Sequence, residues 1–176
     1  MPKSNRRLGV TEGLAIRVRT VEALGFAFPP TAQLLLDWAR SARPKSQILS
    51  FLVPYLPPSI NHIYLPGATL GSRRLSPEAL HFREAVRLAI GDRVWKPSGV
   101  LMAIVFYQSP HWITKRREVR KKDIDNVEKA LHDAIGCATG VNDCRFWEYH
   151  PYKIIGPTVM TVCYVVDMGD IVEVYK

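Results

Sequence analysis

The sequence has little cysteine, no long hydrophobic run and fewer acidic than basic side chains. Its three cysteines, Cys137, Cys144 and Cys163, are too few and too widely spaced for a disulfide framework or a paired-cysteine zinc site. The longest unbroken apolar run covers only residues 100–107, whereas a membrane-spanning helix needs about 20 apolar residues. We therefore predict a cytoplasmic protein with reduced thiols and no membrane segment.

Positive charge is in excess and is concentrated in two segments. The chain carries 24 Lys and Arg against 16 Asp and Glu, a formal net charge of +8. Residues 1–47 contain eight basic and three acidic side chains, and residues 111–122 contain six basic and one acidic. This excess predicts an anionic partner, most commonly nucleic acid. The alternative for the second segment is a solvated loop that binds nothing.

The length of 176 residues fits one domain with an N-terminal extension. We predict a basic extension with short helices over residues 1–47 and the main domain over residues 48–176. Thr31 is placed to cap a short helix that runs to about residue 42. The apolar residues at helical spacing in that helix are Leu35, Trp38 or Ala39, and Ala42.

The main domain alternates strand and helix patterns. Ser76, Pro77 and Glu78 form a helix start, after a proline-rich segment that predicts an irregular loop. The inward residues predicted for this helix are Leu80, Phe82, Val86, Ala89 and Ile90. The predicted strands are 48–53, 100–107, 145–154 and 157–166, and the predicted helices are 77–90 and 123–137.

This β-α-β-α-β-β order predicts an α/β (α+β) fold. We expect a small mixed sheet of about four strands, with the two main helices packed mainly on one face. The strand at 100–107 is apolar on both of its faces. It is therefore expected to be central, or covered on both sides.

The strongest candidate site lies at the start of the second main helix. Asp123 and Asp125 are two residues apart, so both carboxylates point the same way if the chain is still extended there. With Asp143 they form a sufficient oxygen ligand set for Mg²⁺, and a divalent cation lets neighbouring carboxylates remain ionised. Lys129, one helical turn after Asp125, is placed to stabilise a pentacovalent phosphate. This set predicts metal-dependent phosphodiester hydrolysis.

The basic segment immediately before Asp123 favours this interpretation. Acidic ligands alone repel DNA, whereas a metal-dependent nuclease also needs a surface that attracts phosphates. The residues predicted to contact phosphates are Arg73, Arg74, Lys115, Arg116, Arg117, Arg120, Lys121 and Lys122.

A simpler interpretation of the same residues stays open. Asp123 can be a helix cap, and Asp125 with Lys129 can be an ordinary i,i+4 pair. Asp143 can be a turn residue, because Asn142 followed by Asp143 favours turns.

Two rival sites use other residues of this region. His132, Cys137, Cys144 and His150 include zinc-ligand types, but their spacing does not provide a pair of close chelating turns. Several aromatic residues could stack on unpaired bases, although aromatic residues in strands more often form a core or an interface. These are Trp112, Phe146, Trp147, Tyr149 and Tyr152.

The motif residues resemble a known family. The stretch DIDNVEKALHDA at 123–134, followed by GVND at 140–143, is similar to the signature of RusA-type Holliday junction resolvases. The PPSIN segment at 57–61, with Tyr64 close behind, resembles the opening segment of that family. The likeness covers about residues 48–170. One departure is Asn142, where the family often has an acidic residue.

The resemblance implies a homodimeric, Mg²⁺-dependent endonuclease, with Mn²⁺ as a substitute metal. Such an enzyme binds branched DNA, especially four-way junctions, and nicks two opposed strands, one per subunit. It is cytoplasmic and associates with the nucleoid when it is bound to DNA. The alternatives are a nuclease for other branched DNA and a non-cleaving architectural DNA-binding protein on the same fold.

The resemblance also assigns roles to single residues. Asp123, Asp125 and Asp143 are implied to be the catalytic metal-binding carboxylates, and Lys129 the catalytic lysine near the scissile phosphate. The supporting residues that match the pattern are Asn61, Asn126 and Asp133.

Overall fold

The structure is a computed structural model that describes residues 28–44, 47–92, 94–118, 120 and 124–169. Its helices are α1 (Pro30–Ala42), α2 (Ile60–Ile63), α3 (Pro77–Ile90) and α4 (Asp125–Thr139). Its strands are β1 (Ile48–Val53), β2 (Tyr64–Pro66), β3 (Arg73–Leu75), β4 (Leu101–Gln108), β5 (Phe146–Ile154) and β6 (Met160–Asp167). Short 3₁₀ turns lie at Pro110–Trp112 and Asp143–Arg145.

Four strands form a mixed sheet in the order β1-β6-β4-β5. β6 is antiparallel to both β1 and β4, so that Ile48 pairs with Val166 and Gln108 pairs with Met160. β5 is parallel to β4, and α4 lies in the crossover connection that such parallel strands need. The predicted α+β class, with a mixed sheet of about four strands, is confirmed.

Helices cover both faces of this sheet. α3 and α4 pack on one face, in a core that includes Phe51 and Val105. α1 packs on the other face, where Leu36 is buried with Ile104. As the apolar pattern of residues 100–107 predicts, β4 is therefore buried along its whole length.

α1 lies within the segment predicted as an extension, and one face of it belongs to the core. It begins at Pro30 without a side-chain cap, so the predicted cap at Thr31 is wrong. A proline at the first helical position fixes φ for the helix and needs no N–H partner there. Of the alternatives Trp38 or Ala39, the structure buries Ala39 and leaves Trp38 exposed. The predicted position Ala42 is wrong, because it is exposed. The buried residues are Ala32, Leu36 and Ala39.

α3 begins as its sequence predicts. Ser76 Oγ accepts a hydrogen bond from the Ala79 N–H at 3.1 Å, and the helix ends at Gly91. The predicted inward position Leu80 is wrong, since its side chain is 53% exposed. The neighbouring small residues Ala79 and Ala85 face the protein instead, which lets the helix approach its neighbours closely.

The segment between β1 and α3 is more regular than the predicted loop. It contains α2 and an antiparallel hairpin of β2 and β3, in which Leu65 lies opposite Arg74. Strands of three residues with proline and charged side chains have too little alternation to be recognised from sequence. Ile63 packs with Ala79 of α3 and Ala130 of α4, so this segment is fixed beside α4.

No helix in the described ranges is both long and apolar enough to span a membrane.

Candidate functional site

The helix that carries the predicted site residues begins at Asp125. α4 runs from Asp125 to Thr139 instead of over the predicted range 123–137, and Asp125 and Glu128 lie in its first turn. Negative side chains there interact favourably with the helix dipole. Asp123 lies outside the described residues, so its place beside Asp125 stays a prediction. The core-facing side of α4 includes the buried residues Val127, Leu131, Ala134 and Ile135.

An open depression of about 340 Å³ lies beside the first two turns of α4. One wall comes from α4 and the other from the 3₁₀ turn at Asp143–Arg145. The structure thus brings three predicted site residues together across a long stretch of chain. The α4 residues share one side because they are spaced by three and four positions. The lining residues are Asp125, Glu128, Lys129, His132, Asp143 and Cys144.

Asp143 is positioned by the chain reversal that follows α4. Gly140 adopts a left-handed conformation with φ of 75°, and its N–H donates to the Gly136 carbonyl at 2.8 Å. The Asn142 side-chain oxygen then accepts a hydrogen bond from the Cys144 N–H at 3.0 Å. The predicted turn at Asn142 and Asp143 is confirmed. Asn142 therefore caps the 3₁₀ turn that presents Asp143.

Lys129 lies between two aspartates. Its Nζ is 3.3 Å from Asp133 Oδ1 and 3.9 Å from Asp143 Oδ2. Asp133 Oδ2 is also 3.6 Å from the Arg83 Nη2 of α3, and only 16% of the Asp133 side chain is exposed. Asp133 therefore links Lys129 to α3. Within the described residues, Lys129 pairs with these two aspartates and not with Asp125, so the alternative of an ordinary i,i+4 pair between Asp125 and Lys129 is wrong.

Asp125 and Asp143 have the chemistry of ligands for a hard cation. Both are exposed at the depression, and within the part of the chain that the structure describes neither carboxylate accepts a hydrogen bond. Mg²⁺ binds carboxylate oxygens and keeps several waters, so these residues fit that ion. No three His, Cys, Asp or Glu side chains among the described residues converge closely enough to hold a metal. A third protein ligand would come from Asp123, as predicted.

Glu128 and His132 line the depression but were not predicted. They lie one helical turn apart, with Glu128 Oε1 3.9 Å from His132 Nδ1. Burial raises the pKa of Glu128, and the negative charge of Asp125 raises that pKa further. Their position on the helix face of Asp125 and Lys129 is the sequence signal that could have found them.

His132 forms the apolar floor of the depression. Its ring stacks on Phe146 with centroids 4.2 Å apart and meets the Tyr149 ring edge-on at 5.3 Å. Its Nε2 is buried and has no hydrogen-bond partner within the described residues. Burial lowers the pKa of His132 to about 4, although the nearby charge of Asp143 acts in the opposite direction. The imidazole is therefore neutral at pH 7.

The remaining aromatic residues mostly belong to the core. The Trp112 ring is buried and its N–H donates to the Tyr107 carbonyl at 2.6 Å, while the hydroxyl groups of Tyr107 and Tyr149 hydrogen bond to each other. Burial raises the pKa of both tyrosines, so both stay neutral. Tyr152 stacks within the α1 side of the core, and Trp147 is 51% exposed.

The basic side chains predicted to contact phosphates lie on two segments, the β2–β3 hairpin and the loop between β4 and α4. The loop between β4 and α4 is ordered locally by hydrogen bonds from the Thr114 N–H to the Glu118 carbonyl and from the Arg117 N–H to the Thr114 carbonyl. Lys121 and Lys122 lie outside the described residues. The predicted phosphate-binding residues that are described and exposed are Arg73, Arg74, Lys115, Arg116, Arg117 and Arg120.

Two predicted supporting residues are not brought to the depression. Asn61 is exposed in α2, and Asn126 is partly buried in the first turn of α4. Neither belongs to the lining residues given above.

The sequence matches no protein-family model and has no significant match among curated proteins. The fold and the site alone define the class of this protein. It is an α+β domain in which carboxylates and one lysine line an open depression at the start of a helix. Membership of the RusA family stays a prediction from the motif residues.

Proposed function

We propose that the protein is a Mg²⁺-dependent endonuclease that resolves four-way DNA junctions by paired nicks in opposed strands. One observation carries the proposal: Asp125, Lys129 and Asp143 meet at a single open depression, with Lys129 Nζ 3.9 Å from Asp143 Oδ2. Asp125 and Asp143 would hold the metal together with Asp123, and Mn²⁺ would substitute for Mg²⁺.

Each residue of the depression has a distinct task in this reaction. A bound Mg²⁺ supplies Lewis acidity, which favours an activated water and an anionic leaving oxygen. Lys129 presents its positive charge to the phosphate as negative charge develops there. Asp133 restrains the lysine from the α3 side. The neutral His132 ring closes the floor of the depression and limits the water beneath the reacting phosphate.

The basic segment before α4 supports binding of a DNA backbone next to this depression. Its exposed side chains neutralise phosphates without reading sequence, as expected for a protein that recognises the shape of branched DNA. Paired nicks need two active sites, so we propose a homodimer with one depression per subunit. The residues concerned are Lys115, Arg116, Arg117 and Arg120.

The test is cleavage of an end-labelled four-way junction beside a linear duplex, in Mg²⁺ or in EDTA. Wild-type protein is expected to make symmetric nicks in the junction only when Mg²⁺ is present. Asp125→Asn should bind the junction normally and cut it at least 100-fold more slowly, because removing one essential transition-state group costs about that much. Asp92→Asn, an exposed carboxylate at the end of α3, is the matched control and should cut at the wild-type rate.

Three results would contradict parts of the proposal. Asp125→Asn protein that cuts as fast as wild type would show that the site is assigned wrongly. Tight junction binding with no cleavage in Mg²⁺ or Mn²⁺ would indicate an architectural DNA-binding protein. Faster cleavage of forks or flaps than of four-way junctions would assign a different branched substrate to the same site.

A further inference from the structure

The hairpin of β2 and β3 ends in a short loop that presents one apolar side chain to solvent. Leu70 lies at the tip of this loop and is 107% exposed, the most exposed large apolar residue in the described ranges. The other exposed leucines are less exposed than Leu70, with Leu34 at 71%, Leu80 at 53% and Leu88 at 44%. Leu70 therefore contributes nothing to the core of the chain.

The loop is held in one conformation although it buries nothing. The Gly67 N–H donates to the Ser72 carbonyl at 2.9 Å, and the Ser72 N–H donates to the Thr69 carbonyl at 3.0 Å. Ser72 Oγ donates to the same carbonyl at 2.7 Å and accepts from the Thr69 N–H at 3.1 Å. Gly71 allows the chain to reverse direction in the loop, because it adopts a left-handed conformation with φ of 80°. These bonds fix the position of the leucine before any partner arrives, which lowers the entropy lost on binding.

Positive charge accompanies the exposed leucine. Arg73 and Arg74 follow the loop directly and are both exposed, and no acidic side chain occurs in the hairpin. Successive residues of a strand point to opposite faces, so the two guanidinium groups flank the ribbon on both sides. A rigid apolar tip between two cations is complementary to an exposed base face between two phosphates.

The hairpin is anchored beside the proposed active site. Ile63, at the end of α2, packs against Ala130, the residue after Lys129 on α4. The Ser76 N–H closes the base of the hairpin by donating to the Ile63 carbonyl at 2.8 Å. Each strand has three residues and so spans about 10 Å. Leu70 thus lies at the tip of a short, rigid hairpin whose base packs against α4.

We propose that Leu70 is a wedge that inserts between neighbouring bases at the branch point of a DNA junction and unstacks them, while Arg73 and Arg74 hold the adjacent phosphates. The inference rests on the proposed function and adds a residue that selects branched over linear DNA. Base stacking is weaker at a branch point than in a continuous duplex, so insertion and unstacking cost less there. The apolar side chain gains from leaving water, whereas linear DNA offers it no site.

The experiment compares full-length wild type, Leu70→Ser and Leu70→Met on a junction that carries 2-aminopurine next to the branch point, in EDTA. Wild type is expected to raise the 2-aminopurine fluorescence, because the probe unstacks. Leu70→Ser should abolish this rise and weaken junction binding about tenfold, with unchanged binding to linear duplex. Leu70→Met should restore both signals. Leu88→Ser, on the exposed side of α3, is the matched control and should behave as wild type.

The outcomes separate this inference from the proposed function. If wild type cuts the junction and Leu70→Ser matches it in fluorescence and in junction affinity, the wedge is wrong and the nuclease stands. If wild type unstacks the probe through Leu70 but never cuts in Mg²⁺, the wedge stands and the nuclease is wrong. Loss of the dimer in Leu70→Ser, measured by sedimentation, would show that the leucine contacts a second copy of the chain and would overturn the wedge.

Discussion

At the residue scale, the position of Lys129 depends on a neighbour outside the depression. The Asp133 carboxylate forms ion pairs with Arg83 on one side and with Lys129 on the other, and its side chain is mostly buried. A partly buried ion pair restrains a long side chain more than an exposed pair does. The effect of Asp133 on catalysis should therefore be indirect.

Asp133→Asn is expected to slow junction cleavage about tenfold, whereas Lys129→Gln should slow it about 100-fold or more, because in the proposed mechanism only the lysine contacts the phosphate. Single-turnover rates with saturating protein measure this without interference from binding. Glu84→Gln, which breaks an exposed ion pair with Arg87 on α3, is the control and should not change the rate. Equal rates for Asp133→Asn and wild type would show that the lysine is held without this aspartate.

The buried imidazole of His132 makes a pH-dependent contribution to stability. Its pKa of about 4 lies below the ordinary value of 6.5, so between these pH values the unfolded chain binds more protons than the folded one. Wild type therefore loses stability as the pH falls through this window.

His132→Leu removes this titration and keeps an apolar contact with Phe146. Relative to wild type, the variant should gain about 2 kcal/mol of unfolding free energy between pH 7 and pH 4.5, the equivalent of about two pH units. Urea unfolding at the two pH values measures the difference. His62→Leu, at an exposed histidine of α2, should show no such gain. A pH-independent difference for His132→Leu would mean that the pKa of His132 is the same in the folded and the unfolded chain.

Part of the site could be predicted from sequence because its spacing is local. Asp125 and Lys129 share a helix face because they are four residues apart. The turn at Asp143 could be predicted because Asn142 followed by Asp143 favours turns. Glu128 and His132 were missed because their role depends on burial. The rings that enclose His132 come from β5, and no local pattern records that contact.

At the scale of elements, α1 decides whether the sheet is covered on both faces. Leu36 is 2% exposed among residues of β4 and β6, whereas Leu34 on the opposite side of the helix is 71% exposed. The same substitution at these two leucines therefore compares the buried face of α1 with its exposed face.

Leu36→Ala should lower the free energy of unfolding by about 3 kcal/mol, and Leu34→Ala by less than about 0.5 kcal/mol. Urea denaturation followed by circular dichroism measures both values. If the two variants are equally stable, α1 does not pack on the sheet in solution.

Helices and strands whose ends are marked by capping, proline or glycine residues could be predicted well, whereas the shortest elements could not. β1 was predicted with both ends correct, and α3 with its cap, its first residue and its last residue. The inward face of α1 could be predicted only in part, because several apolar positions compete. The alternative between Trp38 and Ala39 is decided by packing on the sheet, which buries Ala39 together with Leu36. α2 and the hairpin were missed because their pairing is set by contacts with α3 and α4.

At the scale of the whole molecule, binding to DNA should respond to salt through the segment between β4 and α4. Lys115→Ala with Arg116→Ala is expected to reduce the slope of log affinity against log salt by about 2, the number of phosphate contacts removed. Fluorescence anisotropy of a labelled junction at several salt concentrations measures the slope. The matched control, Arg87→Ala with Lys96→Ala, removes the same charge elsewhere on the exposed surface. Equal slopes for the two double variants would show that this segment does not contact phosphates.

The order β1-β6-β4-β5 has a consequence for the synthesis of the chain on the ribosome. β1 pairs with β6 over its whole length and has no other strand partner among the described residues, so this pairing cannot form until residues 160–167 have left the ribosome. Until then β1 and the apolar face of α1 can join only incomplete structures, and exposed apolar surface of this kind is what chaperones bind. A nascent chain that stalls before residue 160 should therefore be retained by chaperones, while one whose residues 160–167 have emerged from the ribosome can close its sheet and leave them.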